Sequence, residues 1–344
     1  MIGAIGKELR LRKNYLDGEI ETIYFGGGTP SLLAEKQISF LLDEIKRTYK
    51  VASSAEITLE ANPEDINRTK AEALLGLGVN RISLGVQSFN DKILQSLNRA
   101  HSKAGAIEAI EVLQESGFTN LTIDLIYGIP GQSLAMWQSN LKQVTDFGIP
   151  HLSCYALTIE EKTAFGQWQK SGKLNPVTDL RYEEDYNVLC EHLAEQGYVH
   201  YEVSNFAKPG CESQHNSSYW QQEPYLGLGP GAHSYNQKSR QFNVSNNPKY
   251  IKSIAIGELP MDEEILSQGQ IYNEYLLTGL RTNRGIDLLL IKQDFGIDIL
   301  EEHSTYLQQC KDESLVVLEG NQLILTDKAL ILADSIIIEF MTDL

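Results

Sequence analysis

The chain has 344 residues, 42% hydrophobic and 22% charged, an ordinary composition for one large folded domain plus a smaller one. Its net charge of −17, from 29 basic and 46 acidic residues, argues against non-specific binding to nucleic acid or to anionic membranes, both of which need a positive surface. No apolar run is long enough to span a bilayer and no signal-peptide pattern opens the chain. The expectation is a cytoplasmic protein that meets membranes only through a partner.

Residues 2–16 carry Ile2, Ile5, Leu9 and Leu16 near one face, a helical pattern with no strand before it. Glu19–Phe25 alternates polar and apolar residues and reads as a strand, broken by Gly26-Gly27-Gly28 before a helix over Ser31–Tyr49. Strands are then expected at Glu56–Glu60, Arg81–Val86, Asn120–Ile126 and His151–Tyr155. Helices alternate with them at Arg68–Leu77, Ser102–Ser116 and Leu134–Phe147. Such alternation implies parallel strands joined by right-handed crossovers, in a barrel or most of one. In a βα series each helix follows a strand, so the opening helix is expected to have lost its partner strand.

After residue 160 the pattern changes. A long helix is expected at Asp179–Gln196 and a strand at Tyr198–Val203, followed by a loop-rich stretch over Ser204–Asn247. That stretch holds Cys211, His215, Trp220 and a second glycine cluster, Gly227-Leu228-Gly229-Pro230-Gly231. A short helix at Pro248–Gly257 precedes a boundary near Glu258–Pro260. Beyond it, helices at Glu263–Thr282, Ile286–Phe295 and Ile299–Cys310, a hairpin over Ser314–Leu325 and a last helix at Asp327–Phe340 form a winged-helix-like module. Such modules often bind DNA, but the acidic charge favours packing or partner docking. The division expected is 1–258 and 259–344.

The parallel strands end in residues that burial does not require: Gly26–Thr29, Glu60, Gln87, Asp124 and Tyr155-Ala156. In parallel βα folds these ends share the face where ligands bind. The glycines read equally as a tight turn or as a ligand loop, without the lysine of a phosphate loop or the spacing of a dinucleotide fingerprint. Glu60 and the glycine carbonyls suit an ammonium, Asp124 suits hydroxyls, and Arg99 suits a carboxylate. The four cysteines, Cys154, Cys190, Cys211 and Cys310, lie too far apart for a C-x-x-C metal signature and read as reduced and structural.

Five motifs in order, Tyr24–Ser31, Leu59–Glu64, Gly85–Phe89, Asn98–His101 and Asp124–Gly131, resemble the oxygen-independent coproporphyrinogen III oxidase family of radical S-adenosylmethionine proteins. Glu202–Pro209, His215–Trp220 and Tyr225–Tyr235 resemble its shorter branch, the HemW-type heme chaperones. The resemblance covers essentially the whole chain and implies an α/β fold, a partial (βα) radical-SAM-type barrel lacking its first strand. It also implies an S-adenosylmethionine pocket in which Gly27, Gly28 and Thr29 contact the methionine part. Glu60, Gln87, Arg99, Asp124 and Ala156 line the rest, with Asp124 toward the ribose. His215 is implied as a heme-associated residue, against the alternative of a loop histidine bonded to backbone.

One departure stands against these matches. The family's C-x-x-x-C-x-x-C motif, which holds a 4Fe–4S cluster in the loop before the first helix, is absent from this sequence. The chain is therefore expected to carry no cluster and to be catalytically inert as given. The function expected is heme binding and delivery to respiratory apoproteins. The alternatives are the oxidase that decarboxylates coproporphyrinogen III and a non-catalytic porphyrin- or nucleotide-binding module.

Overall fold

The computed structural model describes residues 1–160, 162–172 and 176–342. The chain opens with α1 (Ile2–Leu11) and β1 (Glu19–Phe25) and continues α2 (Glu35–Thr48), β2 (Lys50–Ala61), α3 (Arg68–Leu77), β3 (Arg81–Gln87). It goes on through α4 (Asp91–Ser96), α5 (Lys103–Glu115), β4 (Leu121–Tyr127), α6 (Leu134–Asp146) and β5 (His151–Ala156). Helices α7 (Ala164–Lys170) and α8 (Asp179–Glu195) precede β6 (Val199–Glu202) and β7 (Asn205–Ala207). The expected helix starts are present as caps: the side chains of Asn67, Ser102, Ser133 and Thr178 each accept a backbone N–H of the following turn.

These strands form one seven-stranded sheet in the order β1-β2-β3-β4-β5-β7-β6, with β1 to β5 parallel and the last two antiparallel. Period-two alternation divides its faces. Ile57, Leu59, Ile82, Leu84, Ile123 and Leu152 point outward into the helices, where Leu74, Ile110, Trp137, Leu141 and Leu189 bury them. The opposite face is polar. Both sheet edges reach one short segment: the Ser213 N–H donates to the Tyr201 hydroxyl on β6 (3.4 Å), and Nδ1 of His215 meets Oγ1 of Thr22 on β1 (2.8 Å). The sheet is thus curled into a half-barrel with a polar interior.

The stretch expected to be loop-rich contains α9 (Gln214–Trp220), β8 (His233–Tyr235) and β9 (Ser239–Asn243), and α10 (Asn247–Ile256) follows. The expected helix at Glu263–Thr282 is corrected at its start. Met261–Ile265 is a strand, β10, antiparallel to β9, and the helix there, α11, runs only over Gln268–Gly279. Glu263 sits on that strand because its carboxylate accepts from Ser239 (2.7 Å) and Gln241 (2.9 Å), a cross-strand match that helical periodicity cannot reveal. The first helix packs on this small sheet. Glu8 of α1, fully buried, accepts from the Gly229 N–H (2.9 Å) and Asn243 Nδ2 (2.7 Å), so α1 is anchored on the second glycine cluster.

The remaining module is α11, β11 (Ile286–Asp287), α12 (Leu288–Phe295), α13 (Ile299–Glu302), α14 (Ser304–Asp312), β12 (Val316–Glu319), β13 (Gln322–Leu325), α15 (Asp327–Leu330) and α16 (Ala333–Ile338). With its three-stranded sheet, β11-β13-β12, the module runs helix, strand, three helices and hairpin, a winged-helix-like order. It joins the half-barrel at β6, where Val203 N–H donates to the Arg281 carbonyl (2.8 Å) and Asn283 N–H to that of Tyr201 (3.1 Å).

Gly128, just past β4, has φ +67°, and a Cβ there would lie 2.0 Å from the Tyr182 ring. Tyr182 is held in place by its hydroxyl on the Leu157 carbonyl (2.8 Å). Gly128→Ala combines a left-handed backbone with an overpacked contact and should cost roughly 3 kcal/mol. An unchanged urea midpoint would contradict this contact.

Candidate functional site

Strand register sets the interior of the half-barrel in rows. Tyr24, Thr58 and Arg81 share one row, and Glu60, Ser83, Thr122 and His151 share the next. Asp124 and Ser153 stand one row nearer the carboxyl ends. Glu60 and Asp124 thereby face one space with Ser83 between them, on neighbouring strands.

The Tyr24 hydroxyl donates to Oε1 of Glu60 (2.9 Å), and the Ser83 hydroxyl donates to the Asp124 carboxylate (3.1 and 3.2 Å). Part of Asp124 touches solvent, yet its carboxyl group is enclosed by protein. Burial pushes its pKa up to about 7; hydrogen bonds from Ser83 and Ser153 oppose the rise and the nearby Glu60 carboxylate adds to it. Burial and the same Glu60 raise the Tyr24 phenol, which stays protonated as a donor.

The glycine loop follows Tyr24 directly. A Cβ on Gly26 would meet the Tyr24 ring at 2.5 Å and Glu60 Oε1 at 2.8 Å, so only a glycine permits that contact. Gly27 has φ +79°, and a Cβ on Gly27 or Gly28 would meet nothing within 4 Å. Gly26 through Thr29 are exposed, leaving open backbone beside the Glu60 carboxylate. Ser31 ties the loop to the turn after β2, its hydroxyl donating to the Asp65 carboxylate (2.6 Å).

Gln87 is buried, and its φ of +66° is a left-handed conformation rare for a residue with a side chain. It sits where the β3–β4 register shifts between Leu84 and Gln87, a bulge that re-aims the strand end. His101 fixes the connection beyond it, with Nε2 on the Val86 carbonyl (3.0 Å) and Nδ1 beside Glu64 (3.1 Å). Arg99, two residues earlier, has no hydrogen-bond or ion-pair partner for its side chain among the described residues. Ala156, exposed at the end of β5, pairs with Tyr127 at the same rim.

The expected site residues therefore divide. Gly27, Gly28, Thr29, Glu60, Gln87 and Asp124 lie at the ends of adjacent strands, whereas Arg99 follows α4 and Ala156 ends β5, and no hydrogen bond or ion pair ties either side chain to them among the described residues. His215 also reaches this interior, on helix α9 rather than in a loop. Its ring stacks on Tyr24 (4.7 Å between centroids, 17° between planes) and meets the edge of Tyr219 (5.0 Å). Its Nδ1 is bonded to the Thr22 hydroxyl rather than to backbone, and among the described residues Nε2 has no hydrogen-bond partner. Burial lowers its pKa to about 4, with Glu56 opposing, so the imidazole is neutral at physiological pH.

Sequence reading did not single out Thr22, Tyr24, Glu56, Ser83 or Ser153 as parts of the site. The signal for them was present: each lies in the inward phase of its strand, alternating with apolar residues such as Ile23, Ile57, Leu59, Ile82, Leu84, Leu152 and Cys154.

The residues fit S-adenosylmethionine: bare glycine backbone with Glu60 for an ammonium, and Asp124 with its serines for ribose hydroxyls. The four cysteines are free thiols on separate segments. Cys154 is buried on the outer face of β5, its thiol driven well up by burial. Cys190 lies on α8, its thiol pushed up to about 12, and Cys211 and Cys310 lie elsewhere in the chain. No three histidine, cysteine, aspartate or glutamate side chains among the described residues are grouped to hold a metal.

The family described as the radical SAM superfamily matches residues 4–144, and that described as the HemN C-terminal domain matches residues 266–332. The heme chaperone HemW of Lactococcus lactis is 34% identical over 325 residues, covering 94% of this chain and 86% of that protein. HemW of Bacillus subtilis is 33% identical over 329 residues, covering 95% and 86%. The solved structure of coproporphyrinogen III oxidase (HemN) from Escherichia coli superimposes with a TM-score of 0.84 at 22% identity, over 99% of this chain and 82% of that one, which shows a shared fold. A polar half-barrel with a glycine loop at its rim, a helical module behind it and this extent of identity place the chain in the radical SAM superfamily, in the branch of the HemW proteins.

Proposed function

We propose that this protein binds S-adenosylmethionine and heme in one half-barrel and hands the heme to respiratory apoproteins. The observation that carries the reading is His215, a neutral imidazole with Nε2 unpartnered among the described residues, inside the pocket of a chain related along almost its whole length to proteins named heme chaperones. The stack on Tyr24 links the heme end of the pocket to Glu60 and the S-adenosylmethionine end.

When bound, S-adenosylmethionine supplies a sulfonium centre with activated carbon–sulfur bonds. Carbonyls of Gly27 and Gly28 and the Glu60 carboxylate hold its ammonium, Asp124 accepts from its ribose, and Arg99 at the rim takes its carboxylate. Thr29, Gln87 and Ala156 complete the walls. The activity proposed is binding and transfer of heme.

Anaerobic titration of ferric heme into the full chain tests this reading. A shifted, saturable Soret band is expected, with no decarboxylation of coproporphyrinogen III. Turnover of coproporphyrinogen without a Soret shift would replace the chaperone reading with the oxidase.

A further inference from the structure

Glu56 lies at the base of the interior, almost fully buried, and no role at the pocket rim accounts for it. Its carboxylate accepts from three donors of one short segment: the Ser213 hydroxyl (3.3 Å), the Gln214 N–H (3.2 Å) and the His215 N–H (3.0 Å). Arg81 stands behind it at 3.4 Å and has better partners elsewhere, Asn120 Oδ1 (2.7 Å) and Thr122 Oγ1 (2.8 Å). The carboxylate is thus directed at residues 213–215 more than at the arginine. The same segment is secured from the other edge of the sheet by the Tyr201 hydroxyl on the Ser213 N–H, and that hydroxyl in turn meets Nε2 of His151 (2.7 Å).

We propose that Glu56 is a positioning residue for heme: through the Ser213–His215 backbone it fixes the start of α9 so that Nε2 of His215 faces the pocket as the ligating atom. The inference rests on the heme reading above. Thr22 completes the hold at Nδ1, leaving Nε2 as the ring atom open to a metalloporphyrin iron, and Tyr24 fixes the ring plane. A buried carboxylate accepting backbone N–H groups is rigid where a water-exposed one is not, which is why the chain spends a buried charge here.

The test titrates ferric protoporphyrin IX into the full chain and into Glu56→Ala, Glu56→Gln, Asn120→Ala and His215→Ala. Glu56→Ala is expected to weaken binding roughly 10–100-fold and to lose the histidine-ligated Soret and paramagnetic-resonance signature. Glu56→Gln keeps a carbonyl acceptor and restores the signature. Asn120→Ala strips Arg81 of a partner without touching residues 213–215 and retains it. Wild-type affinity in Glu56→Ala, or equal loss in Glu56→Ala and Asn120→Ala, overturns the proposal.

Failure of the heme reading looks different, because wild type and His215→Ala then titrate alike. In that event hydrogen exchange without heme decides the role of Glu56. Faster exchange of the Gln214 and His215 amides in Glu56→Ala than in Asn120→Ala supports the positioning role, and equal rates overturn it.

Discussion

S-Adenosylmethionine should bind this chain roughly 50–100-fold more tightly at pH 7.5 than at pH 5, with Asp124 as the group responsible. The free protein holds Asp124 protonated up to about pH 7, because the carboxyl is buried beside the Glu60 carboxylate. A ligand carrying sulfonium and ammonium charge favours the ionised carboxylate, so binding releases a proton. The affinity then rises about tenfold per pH unit below 7 and levels off above it. Asp124→Asn should flatten the curve and leave the affinity at pH 7.5 near the wild-type value at pH 5. Isothermal titration in buffers of different ionisation enthalpy measures both affinity and proton release. A pH dependence that survives in Asp124→Asn would assign the proton elsewhere.

The same group links pH to stability with a definite sign. The folded pKa of Asp124 lies above its unfolded value, so its contribution is fully present below about pH 4 and is lost as pH rises through about 7. Asp124→Asn should therefore be relatively more stable at pH 8 than at pH 5 when both are compared with wild type.

The second large effect is at His215. Removing its imidazole should weaken ferric heme binding on the order of 100-fold, because a neutral ring nitrogen without a protein partner among the described residues is replaced by nothing that coordinates iron. Folding should change little, since the Ser213 hydroxyl and the Gln214 and His215 N–H groups still donate to Glu56. The adjacent Tyr24 loses a stacking partner but keeps its hydrogen bond to Glu60, so S-adenosylmethionine affinity should stay near wild type.

Much of the half-barrel was legible because its outward faces must be apolar where helices cover them, and that need writes strand–helix alternation into the chain. Helix α3 was placed at Arg68–Leu77, and the ends of α5, α6 and α8 lie within a residue of expectation. Contacts between distant segments were not legible. Strand β10 exists because β9 offers a partner, α9 is held by a carboxylate far earlier in the chain, and Gln87 is left-handed because of a bulge. Glu60, Gln87 and Asp124 were visible as polar strand ends. Their supports, Tyr24, Ser83 and Ser153, lie in the same polar phase but one residue or more below the rim, where a strand-end rule does not look. Glu56 was least visible of all, since a glutamate in mid-strand carries no mark of the helix it holds.

Heme titration of the full chain beside His215→Ala, followed by visible spectrum, tests the central claim most directly. The account predicts a saturable shift of the Soret band in wild type and a loss of affinity on the order of 100-fold in the variant, with equal thermal midpoints. Identical titrations of the two proteins, or no shift in either, would contradict it.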